Sequence, residues 1–332
     1  MNIKQLLTDI TNHRVLTKQE AREALIALAS GQFNESQMAV FMTAYMMRKI
    51  TVDELAGFRD AMLELCISVD LQDYDAIDLC GTGGDGKDTF NISTLASFVV
   101  AGAGQKVAKH GNNGVSSLCG SSNLLAHFGY SFTNDPDKLK HNLDTAGICF
   151  LHAPLFHPAM KSVAPVRKAL GLKTFFNMLG PMVNPSKPAK QLVGVFDMEL
   201  ARMYGYLYQN LDKHFIIVHS IDGYDEVSLT GDFKLISNQG EFFHDPASIG
   251  LSKLDPVSLS GGSSIEDAAK IFLNVLKGEG TKEQNEVVLA NAGIALSVGG
   301  ENTSIQEGIQ KAKESLESGR AFDSFKKLIN DQ

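Results

Sequence analysis

From about residue 74 onward, short apolar runs alternate with segments of helical periodicity, and this alternation limits the folds open to the chain. The apolar runs predict five strands: Ala76–Cys80, Lys106–Lys109, Gly147–Ala153, Gln191–Phe196 and His214–Ser220. Helical patterns separate several of them: Ser121–Phe128, Pro136–Ala146 and Met198–Asn210. Parallel strands need long crossovers that are usually helical, so the alternation predicts an α/β fold with a mostly parallel β-sheet flanked by helices.

Beyond residue 228 the pattern changes. A hairpin-like piece runs from Phe233–Leu235 to Glu241–His244, and three further helical runs follow it: Ser264–Lys277, Gln284–Ser297 and Ser304–Ser318. A chain of 332 residues exceeds the usual size of one domain. We therefore expect two domains, or a large domain with a small attachment.

Residues 1 to about 70 predict a small N-terminal helical domain. Capping-box patterns mark three helix starts, at Thr17–Glu20, Asn34–Gln37 and Thr51–Glu54. The middle helix is apolar over most of its surface, through Met38, Val40, Phe41, Met42, Tyr45, Met46 and Met47. Such a helix is buried in a larger assembly. Two interpretations stay open: a dimer interface, or a core within one chain.

The composition argues against several classes of protein. A net charge of −8 weighs against a nucleic-acid-binding surface, which normally shows as a basic patch. No run approaches the roughly 18 apolar residues that span a bilayer, and the N-terminus lacks the apolar core of a signal peptide. Four widely spaced cysteines without a CxxC pair predict reduced thiols. We therefore expect a cytoplasmic protein.

The stretch Gly81–Thr94, GTGGDGKDTFNIST, joins the first predicted strand to an apolar helical pattern. Four glycines in six residues let the backbone approach an anion closely, and a strand–turn–helix of this kind presents N–H groups to phosphate. Its polar side chains are too numerous for a plain connector: Asp85, Asp88, Thr89, Asn91, Ser93 and Thr94. Ser93 or Thr94 can also cap the helix that follows. We predict a phosphate-binding loop.

Spacing excludes two familiar nucleotide-binding motifs. Gly81-x-Gly83-x-x-Gly86 matches the dinucleotide fingerprint, but that motif needs an acidic residue about 20 positions on, and residues 99–111 contain none. The same glycines nearly form a Walker A loop, yet Asp88 stands where that loop requires Ser or Thr on magnesium. The phosphate loop therefore belongs to another class.

A second polar cluster, KHGNNGVSS, follows the second predicted strand. Lys109 can neutralise phosphate. Hydrogen bonds can come from Asn112, Ser116 and Ser117. Ligands of open α/β sheets gather at the carboxyl ends of strands, so this loop is expected beside the first. His110 can be an acid/base group or a structural hydrogen-bonding residue.

A third cluster, Asp225 and Glu226, follows the strand predicted to end at Ser220. Adjacent carboxylates on a loop usually form a solvated surface pair. Opposite a phosphate loop they can instead bind Mg²⁺, which takes one or two carboxylates together with substrate oxygens. His152 and His157 lack a zinc-binding spacing, and no HExxH motif occurs.

Together, four segments resemble the anthranilate phosphoribosyltransferases of tryptophan biosynthesis: GTGGDGKDTFNIST, KHGNNGVSS, VRKALGLKTFFNMLGPMVNP (166–185) and GYDEVSL (223–229). The resemblance covers nearly the whole chain. It implies that phosphoribosyl pyrophosphate and anthranilate react to give N-(5-phosphoribosyl)anthranilate and pyrophosphate. The similar class II nucleoside phosphorylases carry a Lys/Ser/Arg phosphate-binding segment that this sequence lacks. They and a non-enzymatic nucleic-acid-binding relative of the fold are the alternatives.

The resemblance also implies the residues of each site. The phosphoribosyl donor would be bound by Gly81, Gly84, Asp85, Thr89, Asn91, Ser93, Thr94, Lys109, Asn113, Gly114, Ser116, Ser117 and Ser121. Mg²⁺, expected as two ions, would be held by Ser93, Asp225 and Glu226. Anthranilate would face Gly81, Asn112 and Arg167, and the last suits its carboxylate. No residue is assigned a catalytic proton transfer, because the aniline nitrogen attacks without prior deprotonation.

The resemblance implies a domain arrangement as well. Residues 1–70, with helices near 163–183, would form the helical domain and mediate a homodimer, while 71–162 and 184–332 would form the α/β donor domain. The sequence departs from the family pattern at Asn113, where Arg is frequent, at Asn123 and Ala126, where acids are usual, and at Lys173, usually Arg. These departures bear on donor affinity and loop packing.

Overall fold

The computed structural model describes residues 1–114, 119–299 and 303–330. The helices are α1 (Ile3–Thr11), α2 (Lys18–Ala29), α3 (Glu35–Met47), α4 (Val52–Leu65), α5 (Ile92–Gly102), α6 (Ser121–His127), α7 (Pro136–Ala146), α8 (Ala153–Phe156), α9 (Ala164–Leu170), α10 (Phe176–Leu179), α11 (Met198–Tyr208), α12 (Ile265–Leu276), α13 (Lys282–Ser297), α14 (Ile305–Glu317) and α15 (Arg320–Asn330). The strands are β1 (Ile77–Gly81), β2 (Val107–Gly111), β3 (Ile148–His152), β4 (Lys190–Gly194), β5 (His214–Ser220), β6 (Phe233–Ser237) and β7 (Gly240–His244). Within those ranges, no helix has the length and apolar character needed to cross a bilayer.

The chain divides into two compact units. One comprises Met1–Val69 and Ala153–Pro185, and the other Asp70–His152 and Ser186–Gln332. Residues 153–162, which we had expected in the α/β domain, therefore group with the helical segments. The reason is local: the chain leaves the sheet after His152, and the Phe156 carbonyl accepts a hydrogen bond from the Ile67 N–H at 2.8 Å.

In the helical unit, reciprocal capping boxes close the starts of α2, α3 and α4. Their N-caps are the predicted Thr17, Asn34 and Thr51. The core contains an aromatic cluster of Phe41, Tyr45, Phe58 and Phe175. One side of α3 thus belongs to the core of its own chain, while its other side exposes Val40, Met46 and Met47.

The second unit contains a seven-stranded sheet in the order β3-β2-β1-β4-β5-β6-β7. The first five strands are parallel, and β6 and β7 extend the sheet as an antiparallel hairpin. The apolar helices α5 and α13 supply much of the core. The strands begin and end within two residues of the predicted bounds, and the predicted α/β class with an N-terminal helical domain is confirmed.

Two helix predictions need correction. Neither Ser93 nor Thr94 caps α5: the N-cap is Asn91, and no side chain caps this helix. Both residues already lie inside its first turn. The C-terminal helix α15 was not predicted at all. It begins directly after Gly319 without a capping side chain, so the usual start signal is missing.

Candidate active site

Two strands that end side by side, β1 and β4, form the base of the site. The strand order reverses between them, and ligands of open α/β sheets bind at such switch points. Gly81 ends β1 and pairs with Gly194 at the end of β4. A Cβ on Gly81 would lie 2.3 Å from Oδ2 of Asp225, and one on Gly194 would lie 1.5 Å from the Asp225 carbonyl oxygen. Glycine at both positions therefore lets Asp225 cross the strand ends.

The glycine-rich loop after β1 is attached to the segment that carries Asp225. Gly83 and Gly84 have φ angles of +66° and +80°, a region that glycine occupies without strain. The Gly83 N–H donates a hydrogen bond to Oδ2 of Asp225 at 2.6 Å. The Lys87 ammonium lies 4.6 Å from the centre of the Tyr224 ring, within the range of a cation–π contact. Two contacts thus hold the loop against this segment.

Asp225 and Glu226 place two carboxylates close together beside Asp85. Burial, and then the Asp85 charge, raises the pKa of Asp225, although the Gly83 N–H acts in the opposite direction. Burial, and then Asp225, raises the pKa of Glu226, while the Lys109 charge opposes this shift. Asp225 is only 7% exposed. The interpretation as a solvated surface pair is therefore wrong.

This donor set fits Mg²⁺. Burial and mutual repulsion destabilise the ionised carboxylates, and a bound cation would offset both effects. Magnesium typically takes one or two carboxylates and completes its shell with water and substrate oxygens. Within the described ranges, no group of three or more His, Cys, Asp or Glu side chains has a metal-binding arrangement. The residues that could hold the ion are Asp225 and Glu226, with the Ser93 hydroxyl nearby.

Lys109 and His110 lie at the end of β2 and are both buried. The Lys109 ammonium donates to the Leu79 carbonyl at 2.5 Å and lies 3.4 Å from the Ser93 hydroxyl. Burial lowers the pKa of Lys109, and neighbouring acids, Asp78 first, oppose that shift. The positive charge thus sits beneath the loop surface. His110 is buried and its backbone N–H donates to Oδ1 of Asp78 at 3.1 Å, which favours the structural interpretation of this residue.

The loop after β2 is held against the start of α6. The Asn112 carbonyl accepts hydrogen bonds from the Ser121 hydroxyl at 3.3 Å and from the Ser122 N–H at 3.1 Å. Oδ1 of Asn123 accepts from the N–H groups of Gly114 and Gly120, at 2.8 and 3.1 Å. The neutral Asn123 therefore organises this loop at a position where the resemblance implied an acid.

The remaining predicted donor residues lie around the same strand ends. Gly84 is buried, Asp85 and Thr89 are half-buried, and Thr94 is buried in the first turn of α5. The Asn91 amide donates to the Cys119 carbonyl at 2.9 Å, which ties the glycine-rich loop to the segment before α6. Asn113 is exposed. Ser116 and Ser117 lie outside the described residues.

Arg167 belongs to the helical unit, on α9. Its guanidinium lies 5.1 Å from the centre of the Phe176 ring and 3.5 Å from Oδ1 of Asn177. Burial lowers the pKa of Arg167, and among the described residues no carboxylate pairs with it. A largely buried guanidinium that is stacked on a ring and lacks an acidic partner suits a planar carboxylate ligand.

Sequence reasoning missed three residues that shape the site: Gly194, Ser220 and Asn291. The Ser220 hydroxyl donates to the Glu226 carbonyl at 2.6 Å, and Asn291 bonds the backbone of Val227. Gly194 carried a signal, because glycine inside a strand often marks the close approach of another backbone. Asn291 is the one strongly polar side chain in the apolar run VVLANAGIAL, which also sets it apart.

The chain matches two family models. Residues 73–322 match the α/β domain of a glycosyl transferase family, and residues 4–66 match the helical bundle domain of the same family. An anthranilate phosphoribosyltransferase of Christiangramia forsetii is 59% identical over 326 residues, covering 98% of both chains. One from Bacteroides thetaiotaomicron is 48% identical over 327 residues, again covering 98% of both.

Among solved structures, too, anthranilate phosphoribosyltransferases are similar to this chain. The anthranilate phosphoribosyltransferase of Thermus thermophilus superposes with a TM-score of 0.91 at 33% identity, covering 99% of both chains. The enzyme from Saccharomyces cerevisiae in complex with PRPP and Mg gives a TM-score of 0.91 at 28% identity, covering 99% of this chain and 97% of the other. The yeast enzyme has also been solved in complex with 4-fluoroanthranilate, with a TM-score of 0.86 at 28% identity and coverage of 98% and 97%.

Proposed function

The chain belongs to the glycosyl transferase family of the anthranilate phosphoribosyltransferases, and we propose which of its residues bind the donor, the metal ion and the acceptor. The enzyme transfers the phosphoribosyl group of phosphoribosyl pyrophosphate (PRPP) to the amine of anthranilate, in tryptophan biosynthesis. The observation that carries this proposal is the carboxylate pair where β1 and β4 end: Asp225 is buried over Gly81 and Gly194, and Glu226 next to it is half-buried. The identity to relatives with this activity extends over nearly the full length, which leaves neither alternative function a supporting observation.

The donor site comprises the glycine-rich loop, the start of α5 and the loop after β2. The Ile92 N–H donates to the Phe90 carbonyl, but no side chain caps α5, so the N–H groups of Ser93 and Thr94 in its first turn are available to an anion, and the helix dipole favours negative charge there. The donor contacts assigned by resemblance, Ser116 and Ser117 among them, stay proposals.

We assign Mg²⁺ to Asp225, Glu226 and Ser93, and expect two ions. Mg is present with PRPP in the yeast relative. A bound ion neutralises the charge that develops on the departing pyrophosphate. Lys109, buried behind Ser93, limits the repulsion between the carboxylates and keeps positive charge near the donor without exposing it.

In the reaction, the bond from the ribose carbon to pyrophosphate breaks, and a bond from that carbon to the anthranilate nitrogen forms. The loop N–H groups stabilise the leaving group. The acceptor contacts implied by the resemblance, Arg167 and Asn112, stay proposals. The nitrogen attacks with its own lone pair and then loses a proton to solvent. We assign no side chain to accept that proton.

The metal assignment is tested with Asp225→Asn and Glu226→Gln, assayed by the loss of anthranilate fluorescence over a range of Mg²⁺ concentrations. We expect the half-saturating Mg²⁺ concentration to rise about 10- to 100-fold. Asp232→Asn, an exposed carboxylate of the same region, is the matched control and should behave as wild type. Unchanged Mg²⁺ dependence in both site variants would reject the ligand assignment.

The acceptor assignment is tested with Arg167→Lys and Arg167→Met. Loss of the planar fork should raise the KM for anthranilate about tenfold or more and leave the KM for PRPP within about twofold. The control is Lys168→Met, which removes an exposed cation from the same helix. An Arg167 variant that raises only the KM for PRPP would contradict this placement.

A homodimer through the helical domain is part of the proposal. The exposed Val40, Met46 and Met47 on α3 offer an apolar surface for it. Met47→Glu should shift the mass measured by light scattering from dimer to monomer, and a wild-type protein that is monomeric at micromolar concentration would reject the idea. The cytoplasmic location stays a prediction.

A further inference from the structure

Asn291 lies in the middle of α13 and bonds a loop 64 residues earlier in the chain. Its Oδ1 accepts a hydrogen bond from the Val227 N–H at 3.0 Å, and its Nδ2 donates to the Val227 carbonyl at 2.9 Å. The second hydrogen of Nδ2 goes to the Val287 carbonyl at 2.8 Å. A single side chain therefore pairs with both backbone groups of Val227, as a neighbouring strand would.

Val227 needs this partner. It is fully buried but lies after β5, outside the strands of the sheet, so no ladder satisfies its N–H and carbonyl. A buried backbone group without a hydrogen bond costs about 1–3 kcal/mol. Because Val227 follows Glu226 directly, whatever fixes Val227 also fixes the carboxylate pair.

The helix that carries Asn291 is itself held rigidly. A Cβ on Gly293 would lie 2.6 Å from the backbone nitrogen of Ile309, and one on Gly308 would lie 2.1 Å from the Gly293 carbonyl oxygen. The backbones of α13 and α14 are thus in direct contact. An amide on such a helix has little freedom to move.

Asn291 also faces the site. A small cavity beneath the carboxylates is lined by Asn291 together with Ser93, Asp225 and Glu226. On the other side of the loop, the Ser220 hydroxyl bonds the Glu226 carbonyl, and the Gly83 N–H bonds Asp225. The carboxylate segment is therefore anchored from β5, from the glycine-rich loop and from α13.

We propose that Asn291 is a positioning residue of this enzyme, which sets the geometry of Asp225 and Glu226 through the backbone of Val227. The proposal rests on the function proposed above, in that it gives the carboxylate pair its role at the metal. According to this proposal, α13 contributes to the geometry of the site although it carries none of the predicted site residues.

The test compares Asn291→Leu and Asn291→Asp with Asn142→Leu and Asn142→Asp. Asn142 is the matched control: it is a buried helical asparagine of the same unit, but it bonds the Tyr130 hydroxyl. Asn291→Asp retains an acceptor for the Val227 N–H and removes the donor to its carbonyl, so it provides a second readout if the leucine variant does not fold.

The first measurement needs neither metal nor substrate. Hydrogen–deuterium exchange of the segment 220–230 in the metal-free protein should be at least about tenfold faster at the Val227 amide in Asn291→Leu, because its acceptor is gone. Both Asn142 variants should match wild type in this segment. Unchanged exchange at Val227 in Asn291→Leu would overturn the proposal.

The second measurement is kinetic. Both Asn291 variants should raise the Mg²⁺ concentration for half-maximal activity about tenfold and leave the KM for anthranilate within about twofold. Asn142 variants that lose thermal stability should keep the wild-type Mg²⁺ dependence. If the Asn291 variants also keep the wild-type Mg²⁺ dependence, Asn291 is a packing residue and the proposal fails. If wild type itself shows no Mg²⁺ dependence, the metal assignment fails, and the exchange experiment still decides whether Asn291 holds the loop.

Discussion

The substitution Gly194→Ala tests the arrangement of the site most directly. The added Cβ would lie 1.5 Å from the carbonyl oxygen of Asp225 and 2.5 Å from its carbonyl carbon. Both atoms belong to the backbone, so no side-chain rotation relieves the overlap. Since carbon and oxygen need more than 3 Å of separation, the Asp225 backbone has to move by roughly 2 Å, or the end of β4 has to move instead.

Either movement changes the carboxylate. The 2.6 Å hydrogen bond from the Gly83 N–H to Asp225 would not survive a shift of that size. Overpacking costs about 1–3 kcal/mol, and a lost hydrogen bond to a charged group costs about 1.5–3 kcal/mol. We expect a loss of unfolding free energy of about 3 kcal/mol. Because a 1 Å misplacement near the chemistry can cost about 100-fold, kcat/KM for PRPP should fall by about that factor or more.

The assay compares Gly194→Ala with Gly205→Ala, using thermal unfolding and the fluorescence assay at saturating and limiting Mg²⁺. Gly205 is a buried glycine of the same unit, but the nearest atom to its added Cβ is Cγ2 of Ile236, at 3.4 Å. That substitution adds a methyl group within an ordinary contact distance. If Gly194→Ala keeps the activity and Mg²⁺ dependence of wild type, the position of Asp225 over the strand ends is irrelevant to function, and the reasoning fails.

Three further predictions concern stability and the donor loop. Gly205→Ala should itself raise the unfolding free energy by about 0.5–1 kcal/mol, measured by denaturant unfolding, because Gly205 lies inside α11; a loss would show that Ile236 cannot adjust. Burial alone would raise the pKa of Glu54, but the Arg48 guanidinium and the N–H groups of Leu16 and Thr51 hold it below its usual value. Its stabilising effect is therefore complete above about pH 4.3, the unfolded pKa, and is lost as the pH falls through the lower folded pKa. Glu54→Gln should lose about 3–5 kcal/mol at pH 7, and the gap to wild type should narrow as the pH is lowered through the folded pKa; a gap that does not narrow would refute this. Asn123→Asp keeps an acceptor for the Gly114 and Gly120 N–H groups and should leave the KM for PRPP within about twofold. Asn123→Leu removes that acceptor and should raise the KM for PRPP about fivefold or more. Equal KM values in the two variants would show that this loop does not contribute to donor binding.

The elements that the sequence predicted well are those with a local signal. The helix starts at Thr17, Asn34 and Thr51 need only a short polar pattern, and the strands of the sheet need only apolar runs between turns. By contrast, α15 begins after a glycine with no capping residue, so no local start signal marks it. At α5 a local signal misled: Ser93 and Thr94 are good caps, yet Asn91 takes that position.

The site required information that no local pattern contains. Gly83 and Asp225 are 142 residues apart, and the resemblance to a family joined them where spacing could not. The depth of Lys109 was equally invisible, because a lysine beside a histidine and a glycine suggests an exposed loop. Its burial follows from the place of β2 between β3 and β1 in the parallel part of the sheet, where both faces of the strand are covered and Ala108 and His110 are buried as well.

The polar groups around the carboxylates limit the cost of holding two acids close together in a buried place before any ligand arrives. The Gly83 N–H satisfies Asp225, Lys109 opposes the pKa shift of Glu226, and backbone bonds from Ser220 and Asn291 prevent the segment from moving away. Electrostatic stabilisation of a transition state is most effective when the groups that supply it do not have to reorganise during the reaction. The carboxylates are therefore placed before the donor binds, and disturbing an anchor should weaken metal use without altering recognition of the acceptor.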